Sequence, residues 1–382
     1  MLKTISLNQL SAAEFLQHYW QKKPLLIRQA IPNFSSPIAP DELAGLACEP
    51  DIESRLIREK DGDKAWTLRY GPFNEQDFEK LPESHWTLLV QEANKHVPDI
   101  EDILDKFDFL PSWRIDDLMI SYAAPQGSVG AHTDSYDVFL LQAFGQRRWQ
   151  ISQQNGELLP DLELSILKEF TAEESWILEP GDMLYLPPNL AHHGVALDEC
   201  MTFSIGFLAP THNEMLQDFV DYNLNKMDSE QRYTDPELQL PKNTAEISSD
   251  ALQKIQQIIH NLPKDNHNIN QWFGCFISES RAGTNYEQPE LAYGKKEWLS
   301  TFQQADYLRR IAKFLFTNES EGMTLFIEGR AIPISESNQA VIPMLSSQRE
   351  FTYAELKSYL NDELVDLLVE LTNLGFLYFY DE

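Results

Sequence analysis

GAHTDSYDVFLLQAF, residues 130–144, places a histidine and an aspartate two positions apart and then runs into a largely apolar stretch. In an extended chain successive side chains alternate between faces, so His132 and Asp134 fall on one face at the head of a strand. A second stretch, GDMLYLPPNLAHHG (181–194), ends an apolar strand at Pro187 and Pro188 and then presents His192 and His193. If the two strands are neighbours in a barrel, one of these histidines joins His132 and Asp134. Two imidazoles and one carboxylate leave three metal positions open. That suits a ferrous ion that must take a cosubstrate and oxygen together, although zinc enzymes use related sets. The non-metal alternative is a hydrogen-bonded surface pair, His132 with Asp134, and a loop histidine.

Downstream of the apolar run, Gly145-Gln146 reads as a two-residue turn, and RRWQIS (147–152) as the returning strand. Trp149 and Ile151 alternate with Arg148 and Gln150, so Arg147 shares the inward face with Trp149. A cation pointing into a barrel needs an anion, because an unpaired buried charge is costly. The distal carboxylate of 2-oxoglutarate fits a guanidinium bidentately. An internal salt bridge to a barrel acid is the alternative.

Around these segments, LMISYAA (118–124), SWILEP (175–180), DMLYLPP (182–188) and CMTFSIGFLAP (200–210) are short β-type runs separated by turn residues. They predict a sandwich or barrel. Before them, a helix carrying Phe15, Tyr19 and Trp20 leads to the strand-like PLLIRQA (24–30). After Pro210 the spacing turns helical, with Met215, Leu216, Phe219, Val220 and Leu224, then Leu252, Ile255, Ile258, Ile259 and Leu262. The polar stretch between them, 229–249, predicts a long connection. The last hundred residues predict a helix around Phe302 to Phe316, a strand TLFIEGRAIPI (324–334), two further helices and a final strand FLYFYDE (376–382). Thr352 and Glu355 form a capping box there, and Gly375 ends the last helix. This order resembles a winged helix. From Phe351 onward, however, Lys357 is the single basic residue against Glu355, Asp362, Glu363, Asp366, Glu370, Asp381 and Glu382, the opposite of a DNA-reading surface.

The whole chain of 382 residues is acidic, with 60 Asp and Glu against 30 Lys and Arg. Such a surface repels phosphates, which disfavours nucleic acid or an anionic membrane as partner and favours a basic protein. Cys48, Cys200 and Cys275 are scattered and odd in number, so neither a disulfide framework nor a structural zinc site is expected. The opening residues lack an apolar stretch of signal-peptide length, and no apolar run is long enough to span a membrane. The cytoplasm is the expected compartment.

HYWQKKPLLIR (18–28), the block 116–151 and GDMLYLPPNLAHHG together resemble the JmjC-type ribosomal oxygenases, in particular the bacterial arginine-hydroxylating branch. The resemblance runs through the whole chain. It implies a mixed α and β fold: a double-stranded β-helix (JmjC/cupin) catalytic domain at 1–210, a helical dimerisation region at 211–280 and a winged-helix domain at 281–382. It implies Fe(II) held by His132, Asp134 and His192, rather than His193, and 2-oxoglutarate held by Arg147 with Ser121, O2 being the third reactant. Eukaryotic relatives carry Lys and Tyr at the last two places. The implied substrate is an arginine of a basic large-subunit ribosomal protein, hydroxylated at Cβ, and the implied assembly is a homodimer. Asp116, Asp117, Tyr136 and Asp137 are candidates to receive the target arginine. Two other readings stay open, a ligand-sensing transcription regulator and an N-methyl demethylase.

Overall fold

A computed structural model describes residues 4–61, 64–154, 156–227, 230–240, 243–280, 286–320 and 322–380. The chain divides into two compact units, Met1–Ala209 and Pro210–Glu382. In the first, α1 (Ala12–His18), β1 (Leu25–Ile27) and α2 (Pro40–Leu46) precede a hairpin, β2 (Ser54–Asp61) and β3 (Lys64–Tyr70). Then come α3 (Glu75–Glu79), β4 (Trp86–Val90) and α4 (Pro98–Leu104). The strands that carry the motifs follow: β5 (Ile115–Ala123), β6 (Val138–Phe144), β7 (Arg147–Ser152), β8 (Glu174–Leu178), β9 (Met183–Leu186), β10 (Ala191–Ala196) and β11 (Cys200–Phe207).

These strands form two sheets, ordered β1-β9-β6-β11-β5-β4-β2-β3 and β10-β7-β8, the two walls of a double-stranded β-helix. The largely apolar character of β6, interrupted by the buried Gln142, follows from burial on both faces. Val138 and Leu140 pack with Trp149, Ile151, Leu178 and Leu184 in one cluster. Phe139 and Leu141 pack with Phe15 of α1, Phe107 and Phe207 in another. Each such fully buried side chain stabilises the fold by about 1.5–3 kcal/mol.

Two details differ from the expectation. Gly145-Gln146 does not close a hairpin, because β6 pairs with β9 and β11 whereas β7 pairs with β8 and β10. Gly145, at φ +61, instead carries the chain from one sheet to the other beneath a tight corner. A Cβ at Gly145 would lie 2.1 Å from the Glu199 carbonyl oxygen, and the Gln146 N–H donates to Asp198 Oδ1 at 2.6 Å. The second is that the AHHG segment, beyond the strand end at Pro187 and Pro188, itself opens strand β10.

The second unit begins with α5 (His212–Leu224) and α6 (Ser249–His260), on the expected apolar spacing, and adds α7 (Asn266–Ser278). The described residues of 229–248 hold no helix or strand. Next come α8 (Lys295–Phe302), β12 (Tyr307–Arg310), β13 (Leu315–Glu319), β14 (Gly322–Ile327) and β15 (Arg330–Ile334). The unit closes with α9 (Ile342–Ser347), β16 (Glu350–Phe351), α10 (Tyr353–Leu356), α11 (Asp362–Asn373) and β17 (Leu377–Tyr380). The helix expected over Phe302 to Phe316 is therefore a helix end followed by strand. Residues 307–310 pair with β16 and β17, and tertiary pairing overrides local helical spacing there. TLFIEGRAIPI is two strands, since Glu328 and Gly329 both take positive φ, 47 and 71, and fold β14 back on β15. The Thr352–Glu355 capping box is formed, and Gly375 at φ +79 follows α11.

α7 packs on β13, β14 and β15, with Gly274 so close to Phe326 that a Cβ would sit 2.4 Å from the ring. The boundary expected between 280 and 281 adjoins residues 281–285, and the chain end at Asp381 and Glu382 is likewise outside the described residues. Among the described residues no helix is long and apolar enough to cross a membrane.

Candidate metal centre

His132 and Asp134 are brought together without a regular strand between them. His132 forms an isolated bridge with His192, each N–H donating to the other's carbonyl at 3.0 and 2.9 Å. The chain then leaves extended pairing, and Asp134 sits in the loop before β6. The loop is fastened from across the site, where the Asn189 N–H donates to the Asp134 carbonyl at 2.6 Å. Asn189 follows the two prolines in the left-handed region, φ +62, a conformation Asn tolerates. The PPN turn thus serves both to redirect the chain into β10 and to hold the aspartate loop.

His132 Nε2 lies 3.9 Å and His192 Nε2 3.5 Å from Asp134 Oδ2, and the three donor atoms all lie within 4.8 Å of one another. The Nδ1–H of each imidazole donates to a carbonyl two residues earlier, Gly130 for His132 and Leu190 for His192, both at 3.0 Å. Those bonds fix the tautomer and leave both Nε2 lone pairs aimed at the cluster. Burial pushes His192 down to about 4, so it is neutral at pH 7, as a metal ligand must be. His193 lies outside the cluster and its Nε2 meets Ser128 Oγ at 3.1 Å.

Arg147 is 2% exposed on the inward face of β7. Its guanidinium donates to Ser121 Oγ at 3.4 Å and the Gly194 carbonyl at 3.3 Å, and lies over the Trp149 ring, 4.9 Å from its centre. Its Nε has no partner, and among the described residues no carboxylate pairs with it. Burial draws its pKa down. The internal salt bridge is therefore not what satisfies this cation. Ser121 is buried on β5, opposite Thr202 of β11.

Trp149 and Gly194 escaped the sequence reading as parts of this site. They are opposite each other across β7 and β10, and a Cβ on Gly194 would lie 2.6 Å from Arg147 Nε and 2.7 Å from the Trp149 ring. The glycine lets indole and guanidinium lie flat against the strand. The signal available was the G of AHHG itself, a glycine inside a strand marking a close approach.

The four acidic and aromatic candidates separate. Tyr136 is partly exposed, and burial, together with Asp134 and Asp117, raises its pKa. Gly206 brings it beside Asp117, a Cβ there falling 3.4 Å from Asp117 Oδ1 and 3.9 Å from the Tyr136 ring. Asp116 alternates to the other face of β5. Asp137 is corrected outright. It is fully buried and accepts from Tyr185 Oη at 2.6 Å, Gln21 Nε2 at 2.9 Å and Arg114 at 3.3 Å, so it fastens the N-terminal segment and cannot meet a substrate. Asp137→Ala is expected to cost about 3–5 kcal/mol by stranding these donors. In a calorimetric scan the melting temperature then falls by roughly 10 °C, with the KM for substrate unchanged.

The JmjC domain family matches residues 102–215 and the ROXA-like winged helix family residues 254–378. Ribosomal protein uL16 3-hydroxylase of Escherichia coli (strain K12) is 34% identical over 369 residues, 96% of this chain and 97% of that protein. The X-ray structure of E. coli ycfD matches with a TM-score of 0.86 at 33% identity, covering 99% of this chain and 100% of that one. The structure of YcfD, a ribosomal oxygenase from E. coli, in complex with cobalt and 2-oxoglutarate matches with a TM-score of 0.82 at 34% identity over 98% and 99% of the two chains. With both domain types present and a relative similar along nearly its whole length, the chain belongs to the JmjC-domain ribosomal oxygenases.

Proposed function

We propose that this chain is an Fe(II)- and 2-oxoglutarate-dependent oxygenase that hydroxylates the Cβ of an arginine in a large-subunit ribosomal protein. In this reading His132, Asp134 and His192 hold the iron, and Arg147 with Ser121 holds the distal carboxylate of 2-oxoglutarate. The observation that carries it is the pairing of a three-donor cluster with a buried guanidinium that has no carboxylate partner among the described residues. The donor chemistry fits, since two imidazoles and one carboxylate leave three coordination positions for cosubstrate and oxygen. The likeness to the E. coli uL16 3-hydroxylase and to the E. coli YcfD structure in complex with cobalt and 2-oxoglutarate supports it.

When bound, iron and 2-oxoglutarate supply the oxidising chemistry, consuming O2 and releasing CO2 and succinate. The chain's own residues orient and exclude. Arg147 fixes the cosubstrate by a charge-assisted pair, and Val138, Leu140, Trp149 and Leu184 keep water from the barrel. Tyr136, partly exposed, meets the target guanidinium at the mouth. Asp117 is buried and accepts from Gln91 Nε2 at 3.0 Å, so it is corrected to a supporting residue beneath the mouth. The formal charge of −30 draws in a basic protein. The sparsely basic chain end, Lys357 alone between Phe351 and Tyr380, gives nucleic acid no direct role.

The three-part division at 210 and 280 belongs to this proposal, with 211–280 as the dimerisation region of a homodimer. Leu252, Ile255, Ile258 and Ile259 of α6 are half or more exposed or close to it in the single chain, an apolar row that a second copy would cover. The cytoplasm, where a ribosomal protein is made, is the compartment of action.

The test is incubation of purified protein with Fe(II), 2-oxoglutarate and ribosomal protein digests, followed by fragmentation mass spectrometry. We expect one oxygen on the Cβ of an arginine. Succinate formation without any oxygenated arginine contradicts the substrate, and formaldehyde from methylated peptides points to demethylation instead.

A further inference from the structure

The adjacent histidines His192 and His193 face opposite sides of β10, and only the first reaches the donor cluster. The His193 ring stands edge-on to Phe170, 5.8 Å between centroids, in the wall of a cavity of about 500 Å³ that also includes Ser128, Gly130 and Ala131. Its Nε2 is 3.1 Å from Ser128 Oγ. That oxygen belongs to a buried serine and accepts the Gly130 N–H at 3.0 Å. The Gly130 carbonyl in turn accepts the His132 Nδ1–H at 3.0 Å.

These contacts form one continuous chain from β10 to the other histidine of the cluster. Gly130 takes φ +85, a conformation glycine enters and leaves at little cost. Ile166 closes the remaining space, since a Cβ on Gly130 would lie 2.8 Å from its side chain. The Gly130 N–H and carbonyl belong to successive peptide groups that pivot at a glycine Cα. The hydroxyl that pins the N–H therefore fixes one side of that pivot and narrows the directions open to the carbonyl that the His132 ring bonds. The Ser128 carbonyl is held separately by Thr87 Oγ1 at 3.3 Å, so the serine backbone stays placed when its hydroxyl is removed.

We propose that Ser128 and His193 are positioning residues for the metal centre. Their hydrogen bond fixes the Gly130 carbonyl that orients His132 and ties the two ligand histidines together from behind the barrel. This rests on His132 and His192 being metal ligands. Hydrogen-bond partners behind metal ligands are worth about 10–100-fold in metal affinity. A serine that only stabilised its own turn would act without His193, whereas a brace acts through both.

The test is titration of the metal-free full chain with Co(II), read by calorimetry, beside circular dichroism to confirm folding. Ser128→Ala and His193→Phe are each expected to weaken Co(II) binding about 10-fold or more. The double variant is expected to bind no more weakly than the worse single one, because both remove the same connection. His193→Gln, which keeps a hydrogen-bonding group in reach of Ser128, restores most of the affinity. Unchanged affinity in Ser128→Ala and His193→Phe, beside a loss in His132→Ala, overturns the brace alone. Losses that multiply in the double variant, or no rescue by glutamine, also overturn it. If Ser128→Ala fails to fold, the His193→Phe and His193→Gln pair decides. Full Co(II) affinity in His132→Ala overturns the ligand assignment and the brace with it.

Discussion

Replacing Asp134 by alanine is expected to remove succinate formation almost completely while the protein stays folded. Asp134 lies in a loop, and its carboxylate faces the two imidazoles of the cluster. The contact that fastens the loop uses the Asp134 backbone carbonyl, accepting from Asn189, and survives the substitution. The carboxylate is partly exposed, and its contacts with the two imidazoles, 3.9 and 3.5 Å, are too long for good hydrogen bonds, so the melting temperature of the metal-free protein should barely move. Loss of a group behind a ligand costs about 10–100-fold, and loss of a ligand itself exceeds that range. Succinate assays at saturating 2-oxoglutarate, paired with thermal melts, read both halves of the expectation. Retained turnover, or unfolding, removes Asp134 from the metal centre.

Arg147→Met is expected to separate binding from stability in opposite directions. The guanidinium is buried and, among the described residues, has no carboxylate partner and no acceptor for its Nε, so the cosubstrate-free protein carries an uncompensated charge. Substituting an apolar side chain of similar reach removes that penalty, and such exchanges are neutral or stabilising by about 1–4 kcal/mol. With 2-oxoglutarate bound the same change deletes a buried charge pair, a loss of about 3–5 kcal/mol. At 1.4 kcal/mol per factor of ten this raises the Kd for 2-oxoglutarate about 100- to 1,000-fold. Calorimetric titration and thermal melts with and without cosubstrate test the pair of signs. A lower melting temperature without 2-oxoglutarate would show that Arg147 is structural.

The site was legible in the sequence where strand alternation governs it. RRWQIS has its polar and apolar residues in alternation, and Arg147 and Trp149 do point inward together. The apolar run of β6 announced a core strand for the same reason. Alternation was the wrong account of His132 and Asp134, because between them the chain is not paired. What joins them is the bridge to His192 and the Asn189 tether, long-range contacts that local pattern does not encode. Gly145 shows the same limit, since a Gly-X pair reads alike in a hairpin and in a crossover between sheets. Asp137 shows it for charge, because its sequence neighbours suggest a loop whereas Tyr185, Gln21 and Arg114 arrive from distant segments. The choice of His192 over His193 came from family resemblance. The structure adds a physical reason, the opposite facing of neighbours on β10, and a use for the one left over.

The most direct test of the account is an anomalous difference map at the iron edge from crystals grown without oxygen in the presence of Fe(II) and 2-oxoglutarate. The expected result is a single strong peak bonded to His132, Asp134 and His192, with the distal carboxylate of 2-oxoglutarate paired to Arg147. A peak on His193, or a carboxylate bound away from Arg147, contradicts it.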